Sequence, residues 1–379
     1  MLSFFEPVNI DFDFDSARDF GLIGGIVSIH LTNNLPKIDT ADIIIIGVPE
    51  DRNAVRNEGT KHAPDEIRKA FYQLFPGEWN QKIVDLGNLK LTSEVADTYE
   101  ILKEVISRLS KDVAIILLGG SQELILPVTE VWDTYNKTYN ISVIDALIDS
   151  ALTDDSLDNE NYLTRILTNS TSKLQNMSIF GVQTYYNHPV KYEIFKQLFV
   201  DYHKLGEMQE NVNEIEPELR EADLVSIDIN SIKNADMPAQ SFSRPNGFTG
   251  KEICMIARNA GIAVQNKVLG IFEYNPFFDK NYAGANLIAQ ILWYYVEGKN
   301  VYQEDYPNIP VEKLMKFYVS NELLKLIFYK NPETERWWVE IPDIVKEQVL
   351  FSCSENDYQQ AIKLKITKRI YQIINKMTI

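Results

Sequence analysis

The residues best suited to chemistry in this 379-residue chain lie in three short segments: Gly119-Gly120-Ser121-Gln122-Glu123, Asp145-Ala146-Leu147-Ile148-Asp149 and Ser226-Ile227-Asp228-Ile229-Asn230. Each follows an apolar run, so each falls at the C-terminal end of an expected strand, where open parallel sheets assemble their sites. Carboxylates gathered from several strand ends can hold a divalent cation, and a bound cation lowers the pKa of water from 15.7 to about 7. At about 1.36 kcal/mol per unit, that shift supplies roughly 12 kcal/mol of nucleophile activation. What the three segments lack is imidazole, since the four histidines, His30, His62, His188 and His203, all fall outside them. Asp145, Asp149 and Asp228 placed together would raise each other's pKa unless a proton, a Lys or Arg, or a metal intervened. Ser121 has no histidine in a neighbouring motif to act as its base, which argues against a serine nucleophile. His188, in Tyr185-Tyr186-Asn187-His188-Pro189, follows an expected strand end and is a weaker candidate for ligand contact.

The elements that must position these residues are short β-branched runs alternating with amphipathic stretches, the pattern of βα units on a mostly parallel sheet. The runs predict eight strands, at residues 42–48, 82–86, 113–118, 141–145, 177–182, 197–202, 224–229 and 268–274. Between them the spacing predicts helices near residues 63–74, 94–109, 124–135, 157–167, 208–220, 250–260 and 283–296. This order gives an α/β fold, a three-layer α-β-α sandwich with residues 1–300 as its main domain. Residues 301–379 form a C-terminal extension. It comprises a hairpin from residues 323–330 and 336–341 around Asn331-Pro332-Glu333-Thr334, then an amphipathic helix over residues 357–377. Arg336, Trp337 and Trp338 in that hairpin are candidate partner contacts, because Trp and Arg carry much interface energy. Adjacent tryptophans on a strand also point to opposite faces, so one could instead cover a core.

With 45% hydrophobic and 11% aromatic residues the chain can bury a large core. Its net charge of −17 opposes sequence-independent attraction to nucleic acid or anionic lipid. Two cysteines, Cys254 and Cys353, form no metal-type spacing and no disulfide framework. Without a secretory signal or an apolar run of about 18 residues, a cytoplasmic protein with no membrane insertion is expected.

The three segments, taken with their neighbours, resemble those of the ureohydrolases: arginases, agmatinases and formimidoylglutamases. The resemblance runs from about residue 41 to 298. It includes Gly47-Val48-Pro49-Glu50-Asp51, Asn57-Glu58-Gly59, Ala63-Pro64-Asp65-Glu66-Ile67-Arg68, Pro238, Thr249-Gly250 and Glu273-Tyr274-Asn275-Pro276. It implies an arginase-like fold, and in that family two manganese ions held by a Gly-Gly-Asp-His motif, an Asp-x-His-x-Asp motif and an Asp-x-Asp motif. By position those six places hold Gln122, Asp145, Leu147, Asp149, Asp228 and Asn230, so both imidazoles are replaced. Glu273 matches the glutamate that contacts the substrate's amidinium or guanidinium.

Two functions are open at this stage. One is a catalytically inactive ureohydrolase-fold protein that binds or scaffolds, with no cofactor expected and with a protein partner or its own copies as partners. The alternative is a metal-dependent amidine or guanidine hydrolase resembling formimidoylglutamase or arginase. It would use a reduced site in which Asp145, Asp149 and Asp228 hold one divalent cation (Mg²⁺, Ca²⁺ or Mn²⁺), as an all-oxygen donor set favours.

Overall fold

The fold follows from a computed structural model describing residues 1–109, 113–151, 156–169, 171–198, 200–301, 305–320, 325–342, 344 and 348–378. Ten strands build the main sheet: β1 (Phe5–Glu6), β2 (Ser28–Ile29), β3 (Ile43–Val48), β4 (Ile83–Leu89), β5 (Ala114–Gly119), β6 (Tyr139–Ile144), β7 (Leu174–Val182), β8 (Asp201–Lys204), β9 (Leu224–Asp228) and β10 (Val268–Phe272). Their order is β1-β4-β3-β5-β10-β9-β6-β7-β8, with β2 beside β4, and every pairing is parallel except that of β1 with β4. The central strands β3, β5, β9 and β10 bury both faces. In β3, Ile43 and Ile45 join the apolar layer on one side, while Ile44 and Ile46 join the layer on the other. A period-2 backbone covered on both sides therefore reads as a continuous apolar run.

All eight expected strands are present, and one strand and one helix differ from expectation in ways that have a cause. The strand expected at residues 197–202 begins only at Asp201, because Pro189 and His188 start a helix, Pro189–Gln197, that buries Phe195. The helix expected over residues 208–220 is broken at Asn211. This residue is extended (φ −158°, ψ 93°), and its side chain accepts from Asn213 N to start a new turn. A separate helix, Glu216–Glu221, then begins with Pro217 in its first turn. No helix among the described residues is long and apolar enough to cross a membrane.

The extension forms a second, antiparallel sheet of β11 (Met315–Ser320), β12 (Lys325–Lys330), β13 (Trp337–Glu340) and β14 (Phe351–Cys353). β12 and β13 are the expected hairpin, while Leu323 lies outside the described residues. The single helix expected over 357–377 is two, Glu355–Ile362 and Lys368–Thr378. Leu364 enters the left-handed region (φ 59°) and ends the first, and Thr367 Oγ1 accepts from Ile370 N at the start of the second.

The extension packs on the main domain. Arg220 donates to the carbonyls of Trp337 (3.1 Å) and Cys353 (3.4 Å), and its guanidinium lies 4.5 Å from the Trp338 ring centroid. Arg336 pairs with Glu216 and Asp305, each at 3.0 Å. Trp337 and Trp338 are both buried, one against Phe317 and Tyr358, the other in a cluster with Tyr329 and Leu314. Arg336, Trp337 and Trp338, expected as candidate partner contacts, are thus occupied by contacts within the chain, and neither tryptophan stands on an exposed surface.

Candidate functional site

Four adjacent central strands, β5, β10, β9 and β6, carry every expected site residue at their C-terminal ends. β5 and β6 are consecutive in sequence but stand apart in the sheet with β10 and β9 between them, so their outgoing chains diverge and leave a crevice. Beneath it lies a cavity of about 200 Å³ lined in part by Gln122, Leu147, Asp149, Asp228, Asn230 and Glu273.

The turn after β5 begins at Gly120, where a Cβ would meet the Glu50 carbonyl oxygen at 2.0 Å, so only glycine allows this approach. Gln122 follows, its backbone N donating to Glu273 Oε1 (2.9 Å) and its Nε2 to Ser226 Oγ (3.0 Å). Its Oε1 is buried without a partner among the described residues. After β6, Asp145 Oδ1 accepts from Leu147 N (2.9 Å), and Oδ2 is likewise buried and unpartnered. At the end of β9, Asp228 Oδ1 accepts from Asn230 N (2.7 Å) and Nδ2 (2.9 Å), which turns the partnerless Asn230 Oδ1 away. Glu273 has φ 67°, a strained conformation for a side-chain-bearing residue, and is held by Asn57 Nδ2 on Oε2 (2.8 Å).

The electrostatics of the floor follow from burial. Desolvation raises Asp145, Asp149, Asp228 and Glu273 above the usual carboxylate range. Asp149 lies well above it, because the charge of Asp145 adds to burial. The site therefore calls for positive charge, as metal, cationic ligand or proton.

Of the other candidates, Ser121 is buried and donates to Glu123 Oε1 (2.6 Å), outside the cavity lining. His188 is exposed and caps the Pro189–Gln197 helix, so it does not reach the cavity. Its neighbour Asn187, which the sequence reading passed over, is buried and holds the Asp145–Asp149 turn through Ile148 N (2.7 Å) and the Ala146 carbonyl (3.0 Å). Arg244, also passed over, lines the cavity from the loop between β9 and β10. Its signal was its place: every loop leaving the C-terminal end of a site strand is a candidate source of ligand contacts.

Glu123 lies behind the site, pushed up to about 7 by burial, with Tyr99 (3.0 Å) and Ser121 donating to one oxygen and the other unpartnered. An acid whose folded pKa is raised binds more protons folded than unfolded, so its contribution to stability falls as pH rises from about 4.5 to about 7. We expect Glu123→Gln, which cannot ionise, to gain stability relative to the parent across that window, by at most on the order of 3 kcal/mol. Urea denaturation of both proteins from pH 4.5 to 8 checks this, and a difference independent of pH would refute it.

The arginase family's sequence model matches residues 41–297. Formimidoylglutamase of Salmonella paratyphi B is 23% identical over 266 residues, covering 66% of this chain and 83% of its own. Among solved structures, formimidoylglutamase of Bacillus subtilis superposes with a TM-score of 0.64 at 17% identity, covering 68% of this chain and 87% of its own. Formiminoglutamase of Trypanosoma cruzi, solved with two Mn²⁺ ions, gives 0.64 at 20% identity over 70% of this chain and 95% of its own. That dimanganese relative conflicts with the expectation that this chain takes no cofactor. The residues present are a partial fit. Leu147, at the position where the resemblance implies an imidazole, is a hydrocarbon. The unpartnered oxygens of Gln122, Asp145 and Asn230 and the carboxylates of Asp149 and Asp228 are of the oxygen-donor type that a hard divalent cation takes. Among the described residues no group of three or more His, Cys, Asp or Glu side chains is placed to hold a metal ion. The mostly parallel sheet, the site at its C-terminal edge and the match over more than half of its length make the chain a member of the arginase family.

Proposed function

We propose that the chain is a metal-dependent hydrolase of linear amidine or guanidine C–N bonds, working with a reduced, oxygen-only metal site. The observation that carries this reading is the set of three buried oxygens without donors, on Gln122, Asp145 and Asn230, in a floor of carboxylates that burial has left short of positive charge. One divalent cation held by these groups with Asp149 and Asp228 would supply Lewis-acid activation of water.

The residues do the remainder. Glu273, fixed by Asn57 and by the backbone N of Gln122, presents its carboxylate to an amidinium and orients the carbon to be attacked. Water adds to that carbon and loses a proton to a floor carboxylate. The same proton passes to the departing nitrogen as the C–N bond breaks, which balances the reaction and returns that carboxylate to its starting state.

A second reading, a catalytically inactive binding or scaffolding protein, is favoured by one specific observation: Leu147 presents a hydrocarbon to the cavity. Metal analysis of the purified full chain after incubation with Mg²⁺, Ca²⁺ or Mn²⁺, with assays for urea, ammonia and formamide release, separates the two. One equivalent of bound cation with turnover is the expected result. Bound cation without turnover on any linear amidine or guanidine tried would favour the second reading, and failure to bind any of the three ions would sink the first.

A further inference from the structure

A second cavity, of about 650 Å³, lies toward the opposite, N-terminal ends of β6, β7 and β8, where the extension meets the main domain. Its floor is legible in the sequence. In β6 and β7, Ile141, Val143, Met177 and Ile179 belong to one apolar layer. The alternate residues Asn140, Ser142, Asn176 and Ser178 face the other way, with Asn140 in register with Asn176 and Ser142 with Ser178. That face turns apolar only at Ile144 and Phe180. A polar stripe on a covered sheet is built against water or a ligand rather than against a core. The roof is the C-terminal helix, Lys368–Thr378, which turns Arg369, Gln372, Ile373, Lys376 and Met377 to the cavity, while Ile370 and Ile374 pack on the extension's own core. An 11-residue helix depends on tertiary packing, yet one face of this one spans a space that close-packed interiors do not leave. The volume, and the place between two packed units, are those of a small-molecule site. The roof lies beyond residue 297, where the family match ends.

Charge on the wall selects the ligand. Arg369 is engaged by Asp357 (2.6 Å), by the Glu214 carbonyl and by Glu218, whose Oε1 lies 3.6 Å from its Nε. Lys376 pairs with Asp201 (3.0 Å) and donates to Asn176 (2.9 Å). Glu218 also bonds His203 Nε2 (3.0 Å). Glu221 is the acid left over: one oxygen accepts from Ser352 N (2.9 Å), and no ion pair joins it among the described residues, since the adjacent Arg220 pairs with Glu216 (3.4 Å). The wall therefore offers one uncompensated carboxylate beside Leu174, Met177, Val200, Phe351 and Ile373. An anion would find both cations engaged and this carboxylate opposing it.

We propose that this cavity is a second ligand site, which takes a small organic cation with an apolar body: the ammonium meets Glu221, and the body fills the space under the C-terminal helix. It stands apart from the site at the C-terminal edge of the sheet and does not depend on the reading of that site. An occupied cavity completes the packing of the helix, so the ligand holds the end of the chain on β6, β7 and β8.

Three probes with one body and different heads test it on the full chain: 4-phenylbutylamine, 4-phenylbutanol and 4-phenylbutyrate, by calorimetric titration and by hydrogen exchange read peptide by peptide. The amine should bind about 10-fold tighter than the alcohol, the worth of one charge-assisted hydrogen bond, and the acid more weakly than both. At ten times its Kd the amine should slow amide exchange in residues 368–378 by about 10-fold. Glu221→Gln should remove the amine's advantage while leaving alcohol affinity unchanged, and Ile373→Trp, which fills the space, should weaken both. Equal binding of amine and alcohol by the wild type, tightest binding by the acid, or binding of none of the three would overturn the proposal. Protection that falls on residues 119–123, 145–149 and 226–230 instead of 368–378 would overturn it too, because the cation would then sit on the acidic floor of the first cavity. The wild-type comparisons need no variant, so a misfolded Glu221→Gln would not shield the idea.

Discussion

Asp85→Asn is expected to cost about 3 kcal/mol of stability, because it leaves a guanidinium that has almost no solvent with only the longer pair to Asp65. Arg68 and Asp85 have side chains 1% and 0% exposed, and they form a two-pronged pair: Nε to Oδ2 at 2.8 Å and Nη2 to Oδ1 at 3.0 Å. Tyr72 OH (2.6 Å) and Gly87 N (2.8 Å) donate to the same carboxylate, so removing its charge weakens four hydrogen bonds at once. The rest of the guanidinium binds the Gly87 carbonyl and Asn88 Oδ1, and its Nη1 also pairs at 3.3 Å with the more exposed carboxylate of Asp65, which offsets part of the lost charge. Gly47 makes room for this cluster, since a Cβ there would meet Asn88 Oδ1 at 2.0 Å. The cluster thereby fixes the end of β3, which leads to Asn57 and so to Glu273. Urea denaturation measures the loss. The double variant Arg68→Met/Asp85→Asn should cost less than the sum of the single changes, as contacting partners do. A single Asp85→Asn within about 1 kcal/mol of the parent would show that Arg68 finds other neutralisation.

Much of this architecture is written in short-range pattern. The runs at Ile43–Val48 and Ala114–Gly119 are apolar at every position because two layers cover them, and that continuity is visible without coordinates. The positions of Gln122, Asp145, Asp149, Asp228 and Glu273 are legible for the same reason, each following such a run at the edge where sites form. What the sequence hides is long-range. Nothing local distinguishes Asn187 from a solvated loop residue, because its partners, Ile148 N and the Ala146 carbonyl, come from another strand end. Trp337 and Trp338 read as a contact surface for the same reason: whether both faces of their strand are covered depends on Tyr358 from a later helix and on Arg220, more than a hundred residues earlier. The break at Leu364 was equally unreadable, since a leucine in the left-handed region contradicts local preference and is held by packing on either side.

Restoring the family's ligands with Gln122→His, Leu147→His and Asn230→Asp should tighten Mn²⁺ binding by on the order of 100-fold or more, given that even groups supporting a metal's ligands are each worth 10- to 100-fold. The backbone contacts that shape the site do not depend on the replaced side chains. Leu147 donates to Asp145 through its main-chain N, and Gln122 to Glu273 likewise, so both turns should survive. An imidazole at 122 can use one nitrogen for the metal and donate the other N–H toward Ser226 Oγ, which already accepts from Gln122 Nε2. Leu147 is half-buried at the cavity wall, so a ring there enters space already open. Asn230→Asp acts in the opposite sense without metal. It exchanges the Nδ2 donor to Asp228 for a second negative charge, so the metal-free variant should melt lower than the parent and the metal-loaded one higher. Its affinity should also fall as pH drops below about 6.5, where the new imidazoles protonate, adding to the pH dependence that the buried carboxylates already give the parent. Titration followed by the electron paramagnetic resonance of free Mn²⁺ reads both effects. A folded triple variant that binds Mn²⁺ within about threefold of the parent would mean that the crevice has drifted from a metal-holding geometry, and that the oxygens left unpartnered in it serve a cationic ligand alone.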